Sequence, residues 1–128
     1  MINGIFASGS PAIKISIQGL AKTPKAFTAI IDTGFTGFVQ IPFVEALGLG
    51  LVLETISTFT LADGSQSSTL MCWGQINCGE KSISGLISLS HGGQDVLLGT
   101  EWLAKTKMEL RVDCLKQQVV LVSDSVQG

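Results

Sequence analysis

Ile30-Ile31-Asp32-Thr33-Gly34 is the stretch on which the reading of this chain turns. It ends a nearly continuous apolar run, Phe27 to Ile31, broken by Thr28 and suited to a strand covered on both faces. An Asp directly after such a strand sits at the edge of a core, where its carboxylate is partly desolvated. The Thr33 hydroxyl can tie the loop, and Gly34 lets a backbone approach closely or adopts positive φ. Taken alone, the tripeptide is weak evidence, and an ordinary β-turn is the better account of it. The rest of the chain has to decide.

Working outward, short apolar runs with period-two alternation recur between turn signals, the pattern of an all-β chain. Ile13, Ile15 and Ile17 alternate with Lys14, Ser16 and Gln18 as a half-buried strand. After the Asp32 loop, Phe38 to Ile41 reads as a short strand, and Pro42 suits the first turn of a helix over Phe43 to Leu47, stopped by Gly48. Thr55 to Leu61 and Ser67 to Trp73 are strand-like runs around Ala62-Asp63-Gly64-Ser65-Gln66, and Asp-Gly between two such runs predicts a tight hairpin. A turn at Asn77-Cys78-Gly79 leads into a strand over Ser82 to Leu89, and Ser90 to Gln94 reads as a loop. Val96-Leu97-Leu98 is a buried strand ending at Gly99. Thr100 is placed to cap a short helix through Lys105, with Glu101 in its first turn. Met108, Leu110 and Val112 alternate as a strand, and Val119 to Val122 forms another. No linker, repeat or low-complexity segment interrupts residues 1–128, which are expected to form one domain.

Composition narrows the function classes. The 128 residues are 45% apolar and only 14% charged, with mean hydropathy +0.45. No apolar run approaches the roughly 18 residues that span a bilayer. An apolar excess without a membrane segment points to surface hidden in an oligomer, or to a face in contact with peptide. Net charge is −2 with no basic cluster, so nucleic acid is not an expected partner. Met1-Ile2-Asn3-Gly4 lacks a secretory start, and Cys72, Cys78 and Cys114 match no zinc spacing. Reduced, mostly buried thiols in a cytoplasmic protein are the expectation, with no metal and no cofactor.

Asp32-Thr33-Gly34 after its apolar strand, the hairpin around Asp63-Gly64, and Leu97-Leu98-Gly99 opening a short helix occur in that order. In this the chain resembles the retropepsin-like aspartic proteases, over roughly residues 10 to 122; Asp-Thr-Gly-Phe-Thr-Gly followed by Pro42 is most similar to their small prokaryotic branch. The resemblance implies a closed, mostly antiparallel acid-protease barrel with one or two short helices. It implies a catalytic Asp32, active-site loops braced across a dimer by Thr33, and Gly34 admitting the substrate backbone. Phe35 departs from the small residue usual at its position and is expected in the substrate cleft, where its ring would narrow the cleft or cover the carboxylates. The hairpin corresponds to a flap, with Asp63, Gly64 and Ser65 at a tip less Gly-rich than in retroviral relatives. Trp73 and Trp102 are read as core or interface, and His91 as a loop residue.

Only one Asp-Thr-Gly is present. The chemistry needs two carboxyls sharing one proton, and two such groups a few ångströms apart do not readily both ionise. Asp63, Asp95, Asp113 and Asp124 all read as solvated turn, loop or tail residues, so the second carboxyl is expected from a second copy in a homodimer. The terminal segments, Ile2 to Phe6 and Val119 to Val122, are expected in the interface. An aspartic endopeptidase acting on peptide or unfolded protein is the resulting expectation. A catalytically silent dimer that binds peptides or supports assembly is the alternative, and an unrelated ligand-binding β-barrel a second one.

Overall fold

The computed structural model describes residues 1–20 and 23–123. Its elements are β1 (Ile2–Asn3), β2 (Ile5–Ala7), β3 (Ser10–Gln18), β4 (Lys25–Ile31), β5 (Val39–Pro42), α1 (Phe43–Leu49) and β6 (Val52–Thr60). There follow β7 (Gln66–Cys78), β8 (Lys81–Ser90), β9 (Val96–Leu98), α2 (Thr100–Thr106), β10 (Met108–Asp113) and β11 (Gln118–Ser123). Alternation in the sequence becomes sidedness in the sheet. Ile13, Ile15 and Ile17 of β3 are buried while Lys14 between them is exposed.

Six strands close on themselves in the order β3-β4-β9-β5-β8-β7, with β7 returning to β3 through Ser16↔Asn77, Ile17↔Ile76 and Gln18↔Gln75. Of the barrel's pairings β4–β9 and β5–β8 are parallel and the others antiparallel, so the barrel is mixed and mostly antiparallel, as the resemblance implies. Its inner faces and the helix α2 bury one core, in which Ile13, Ile41, Ile87, Leu98 and Trp102 are almost completely enclosed. Strand β6 extends the barrel beyond β7 as the predicted hairpin. A separate three-stranded sheet, β1-β11-β10, packs beside the barrel and adds Val119 and Leu121 to the core.

Four expectations need correction. Helix α1 runs past Gly48 and stops at Gly50, which takes the left-handed φ of 67°. The N–H groups of Gly50 and Leu51 then close the helix end on the carbonyls of Leu47 and Ala46. In α2 the N-cap is Gly99, with no side-chain cap, so Thr100 is the first helical residue and not the cap. Strand β7 continues through Asn77 and Cys78, which leaves the turn to Gly79 and Glu80. Lastly, β4 is not covered on both faces: Ala29 and Ile31 are buried, Ala26 and Thr28 are exposed, and Ile30 faces a cavity.

The terminal strands pair with each other within the chain. Strand β11 is hydrogen-bonded on both edges within its own chain, to β1 through Ile2↔Leu121 and to β10 through Leu110↔Leu121. On the β1 side the pairing takes up Val120 and Leu121, and the Gly4 N–H donates to the Val119 carbonyl at 2.8 Å. Removing β11 would strip two buried side chains from the core, at about 1.5–3 kcal/mol each, so that deletion tests folding before it tests assembly.

Burial also sorts the three thiols. Cys72 and Cys78 lie in the core and Cys114 is exposed. Desolvation pushes the Cys72 thiol up and that of Cys78 up to about 11. At pH 8 about one Cys78 thiol in a thousand is then ionised. A thiol-reactive probe at that pH is expected to modify one cysteine per native chain, Cys114, and all three only after denaturation. Mass spectrometry of the labelled peptides checks this.

Candidate active site

Asp32 leaves the barrel at the end of β4, where Ile31 is paired in parallel with Leu98. Its backbone N–H continues that ladder by donating to the Leu98 carbonyl at 3.0 Å. The next turn is held by the Asp itself. Gly34 N–H donates to Asp32 Oδ1 at 2.9 Å, and Phe35 N–H to the Asp32 carbonyl at 3.1 Å. One carboxylate oxygen is thus fixed by a backbone donor, and no hydrogen bond to a described residue occupies the other.

The loop beyond is clamped to the start of α2. Gly99 N–H donates to the Phe38 carbonyl at 3.0 Å, Thr100 N–H to Phe35 at 3.0 Å and Glu101 N–H to Gly37 at 3.2 Å. Those donors belong to the first turn of a helix, which has no internal partner for them. Gly99 is required by proximity and not by an unusual φ. A Cβ there would collide with the Gly37 carbonyl and lie 2.7 Å from that of Phe35. The Phe35 ring folds back over Gly37 and Gly99, at 2.6 Å and 2.8 Å from the Cβ positions those glycines leave empty. It does not line the cavity at Asp32.

That cavity, about 550 Å³, is lined by Asp32 and Thr33 together with Ile30, Leu97, Leu110 and Val112. Ser10, Pro11 and Asp95 complete the wall. Asp95, read from the sequence as a loop residue, shares this cavity with Asp32. It immediately precedes Val96, which is level with Ala29, so Asp32 lies four residues further along the strand direction, about 13 Å. The two carboxyls do not form a pair that shares a proton. Asp113 binds the Lys116 N–H in a turn, and Asp124 lies outside the described residues.

The predicted flap is a hairpin of β6 and β7, with Leu61 N–H bonded to the Ser65 carbonyl at 2.7 Å. Gly64 takes φ of 87°, the positive value its turn demands. Asp63 Oδ1 accepts from the Ser65 hydroxyl at 2.6 Å and the Ser65 N–H at 2.9 Å. The Ser65 hydroxyl and then its N–H hold the Asp63 carboxyl below the ordinary range, although it is fully exposed. Asp63 is therefore committed to its own turn. None of Asp63, Gly64 and Ser65 lines the cavity at Asp32 in the single chain. The two tryptophans part company: Trp102 of α2 is fully buried in the core, whereas Trp73 is half exposed on β7.

The model of the retroviral aspartyl protease family matches residues 7–127. This chain belongs to that family. No curated protein matches it in sequence. In this chain the Asp-Thr-Gly loop and the Leu97-Leu98-Gly99 segment are the two halves of one clamp. Sequence reading missed Leu110, Val112 and Asp95 as neighbours of Asp32. The first two carried only strand alternation, and Asp95 carried only its place beside a buried strand.

The clamp makes a direct prediction. Gly99→Ala is expected to lower stability in urea unfolding by about 2 kcal/mol, since backbone rather than a flexible side chain must give way. Gly48→Ala is the matched control. A Cβ there meets nothing and the site is helical, so stability should rise by about 0.5–1 kcal/mol.

Proposed function

We propose that the chain is an aspartic endopeptidase working as a homodimer, in which Asp32 of each copy contributes one carboxyl to a shared dyad. The reading is carried by one observation. Asp32 is presented to a cavity by a rigid backbone clamp, and no other carboxyl of its own chain lies within pairing distance among the described residues. Family membership supports aspartic protease activity. The exposed Thr33, whose hydroxyl bonds to no described residue of its own chain, is available to brace a second loop across the dimer.

In the reaction, the ionised carboxyl of the dyad removes a proton from a water, whose oxygen attacks the scissile carbonyl. The protonated carboxyl gives its proton to the carbonyl oxygen, forming a neutral tetrahedral diol. Collapse of the diol breaks the C–N bond as one hydroxyl proton returns to the dyad and the amine leaves with the other carboxyl's proton. No covalent enzyme intermediate is needed. The substrate is an extended peptide or unfolded protein, with the β6–β7 hairpin as the flap and Gly34 admitting its backbone. Phe35, folded onto Gly37 and Gly99, does not line the cavity at Asp32, which favours this reading over a catalytically silent dimer.

The test mixes wild-type chains with Asp32→Asn, which is nearly isosteric and can still pair. At fixed total protein, with time for exchange, cleavage of a fluorescently labelled unfolded protein should fall as the square of the wild-type fraction. Half mutant then leaves about a quarter of the activity. A straight-line fall with verified mixed dimers would show that each chain carries its own complete site. No cleavage by wild-type dimer would return the catalytically silent alternative.

A further inference from the structure

We infer that Asp95 selects the substrate: the cavity at Asp32 takes a lysine or arginine side chain from a residue next to the scissile bond, with its cationic head at Asp95. The inference rests on the protease reading above and names the class of peptide that this site cuts.

Strand parity puts the four residues concerned on one face. In the parallel pairing of β4 with β9, Ala29 and Ile31 are buried level with Val96 and Leu98. Ile30 and Leu97, level with each other, point the other way and line the cavity. Asp32 lies two residues beyond Ile30, and Asp95 two residues before Leu97, so both continue that face and both line the same cavity. The result is a strip with a carboxylate at each end and two aliphatic side chains between.

The Asp95 end of the strip is unpartnered. Asp32 accepts from the Gly34 N–H, Asp63 from Ser65 and Asp113 from the Lys116 N–H. Asp95 is exposed, and it accepts no hydrogen bond and joins no ion pair among the described residues. Among those residues no lysine, arginine or histidine lines the cavity, so its only charged side chains are the two carboxylates. A cation brought in by the substrate would supply the missing partner.

Length and chemistry identify the side chain. The scissile carbonyl must come within about 3 Å of the Asp32 carboxyl. From the residue bearing it, an extended lysine carries its ammonium roughly 6 Å from Cα, five bonds away. Pairing to a carboxylate then spans up to about 4 Å. Together these lengths cover the ~13 Å between the levels of Asp32 and Asp95. Leucine or methionine would reach Ile30 and Leu97 and stop short of Asp95. The methylenes of lysine or arginine cover those two side chains while the charged head stays at the open end, in water and beside Asp95. That head lies farther from Asp32 than the ~8 Å Debye length at physiological salt, so Asp95 dominates its attraction. In a homodimer with one such cavity per chain, the residues on both sides of the scissile bond are each offered an Asp95.

Cleavage sites mapped by mass spectrometry in an unfolded protein should be enriched for lysine and arginine next to the cut bond. For peptides that differ only in carrying lysine, norleucine or glutamate there, kcat/KM should favour lysine over norleucine about tenfold, less at high salt. In Asp95→Asn, which is nearly isosteric, that ratio should drop to about one, and in Asp95→Lys glutamate should become the better substrate. Binding of the same peptides to Asp32→Asn chains, read by fluorescence anisotropy, should show the same order and needs no cleavage. Equal use of lysine and norleucine by wild type, or equal binding by Asp32→Asn chains, would overturn the role of Asp95. So would an Asp95→Asn enzyme that slows on all three peptides with the ratio intact, the behaviour of a purely structural residue. No cleavage of any peptide, with the lysine preference kept in binding, would sink the protease reading and leave the assignment of Asp95 standing.

Discussion

The structure depends on a short lattice of backbone hydrogen bonds between the Asp32 loop and the start of α2. Asp32 N–H to Leu98, Gly99 N–H to Phe38, Thr100 N–H to Phe35 and Glu101 N–H to Gly37 join two segments more than sixty residues apart. Each is worth about 1 kcal/mol net, and their larger effect is positional. They satisfy the orphan donors of a helix with no side-chain cap, and they hold the loop so closely that residue 99 has room for hydrogen only. The parallel pairing of β4 with β9 brings these segments together, and the barrel exists in part to make that pairing.

The same closeness explains Phe35. A ring after Asp-Thr-Gly has a place here because Gly37 and Gly99 leave the volume of two side chains empty. The aromatic group fills a structural gap left by the clamp and is not part of the cavity wall at Asp32. Ile30 and Leu97 show the complementary case. Both extend apolar strands, yet neither is fully buried, because their side chains form the wall of the cavity at Asp32. A run that reads as core on both faces is core on one face and site on the other.

Apolar surface left outside the core is unevenly placed. Val44 and Leu47 on α1, Leu20, and Trp73 with Val52 on the β6–β7 hairpin all remain exposed. The apolar excess in the composition is therefore spread over several elements of the surface.

Period and turn chemistry are local properties, and they determined the strands of the barrel, the hairpin at Asp63-Gly64 and the place of Asp32 at a strand end. Helix ends were less legible, because Gly48 and Gly50 look alike in sequence and only the backbone decides which one takes positive φ. Thr100 looked like a cap because its hydroxyl can accept. The structure supplies main-chain carbonyls from residues 35 and 37 instead, and no local pattern foretells such distant acceptors. The fate of the termini was likewise a tertiary matter. Whether β11 pairs with a partner or with β1 and β10 of its own chain depends on which edges are free once the barrel has closed. The residues that carry the candidate chemistry were written in the sequence. The cavity in which Asp32 stands was decided by tertiary structure, because its walls come from strands β3, β4, β9 and β10, which are distant in sequence.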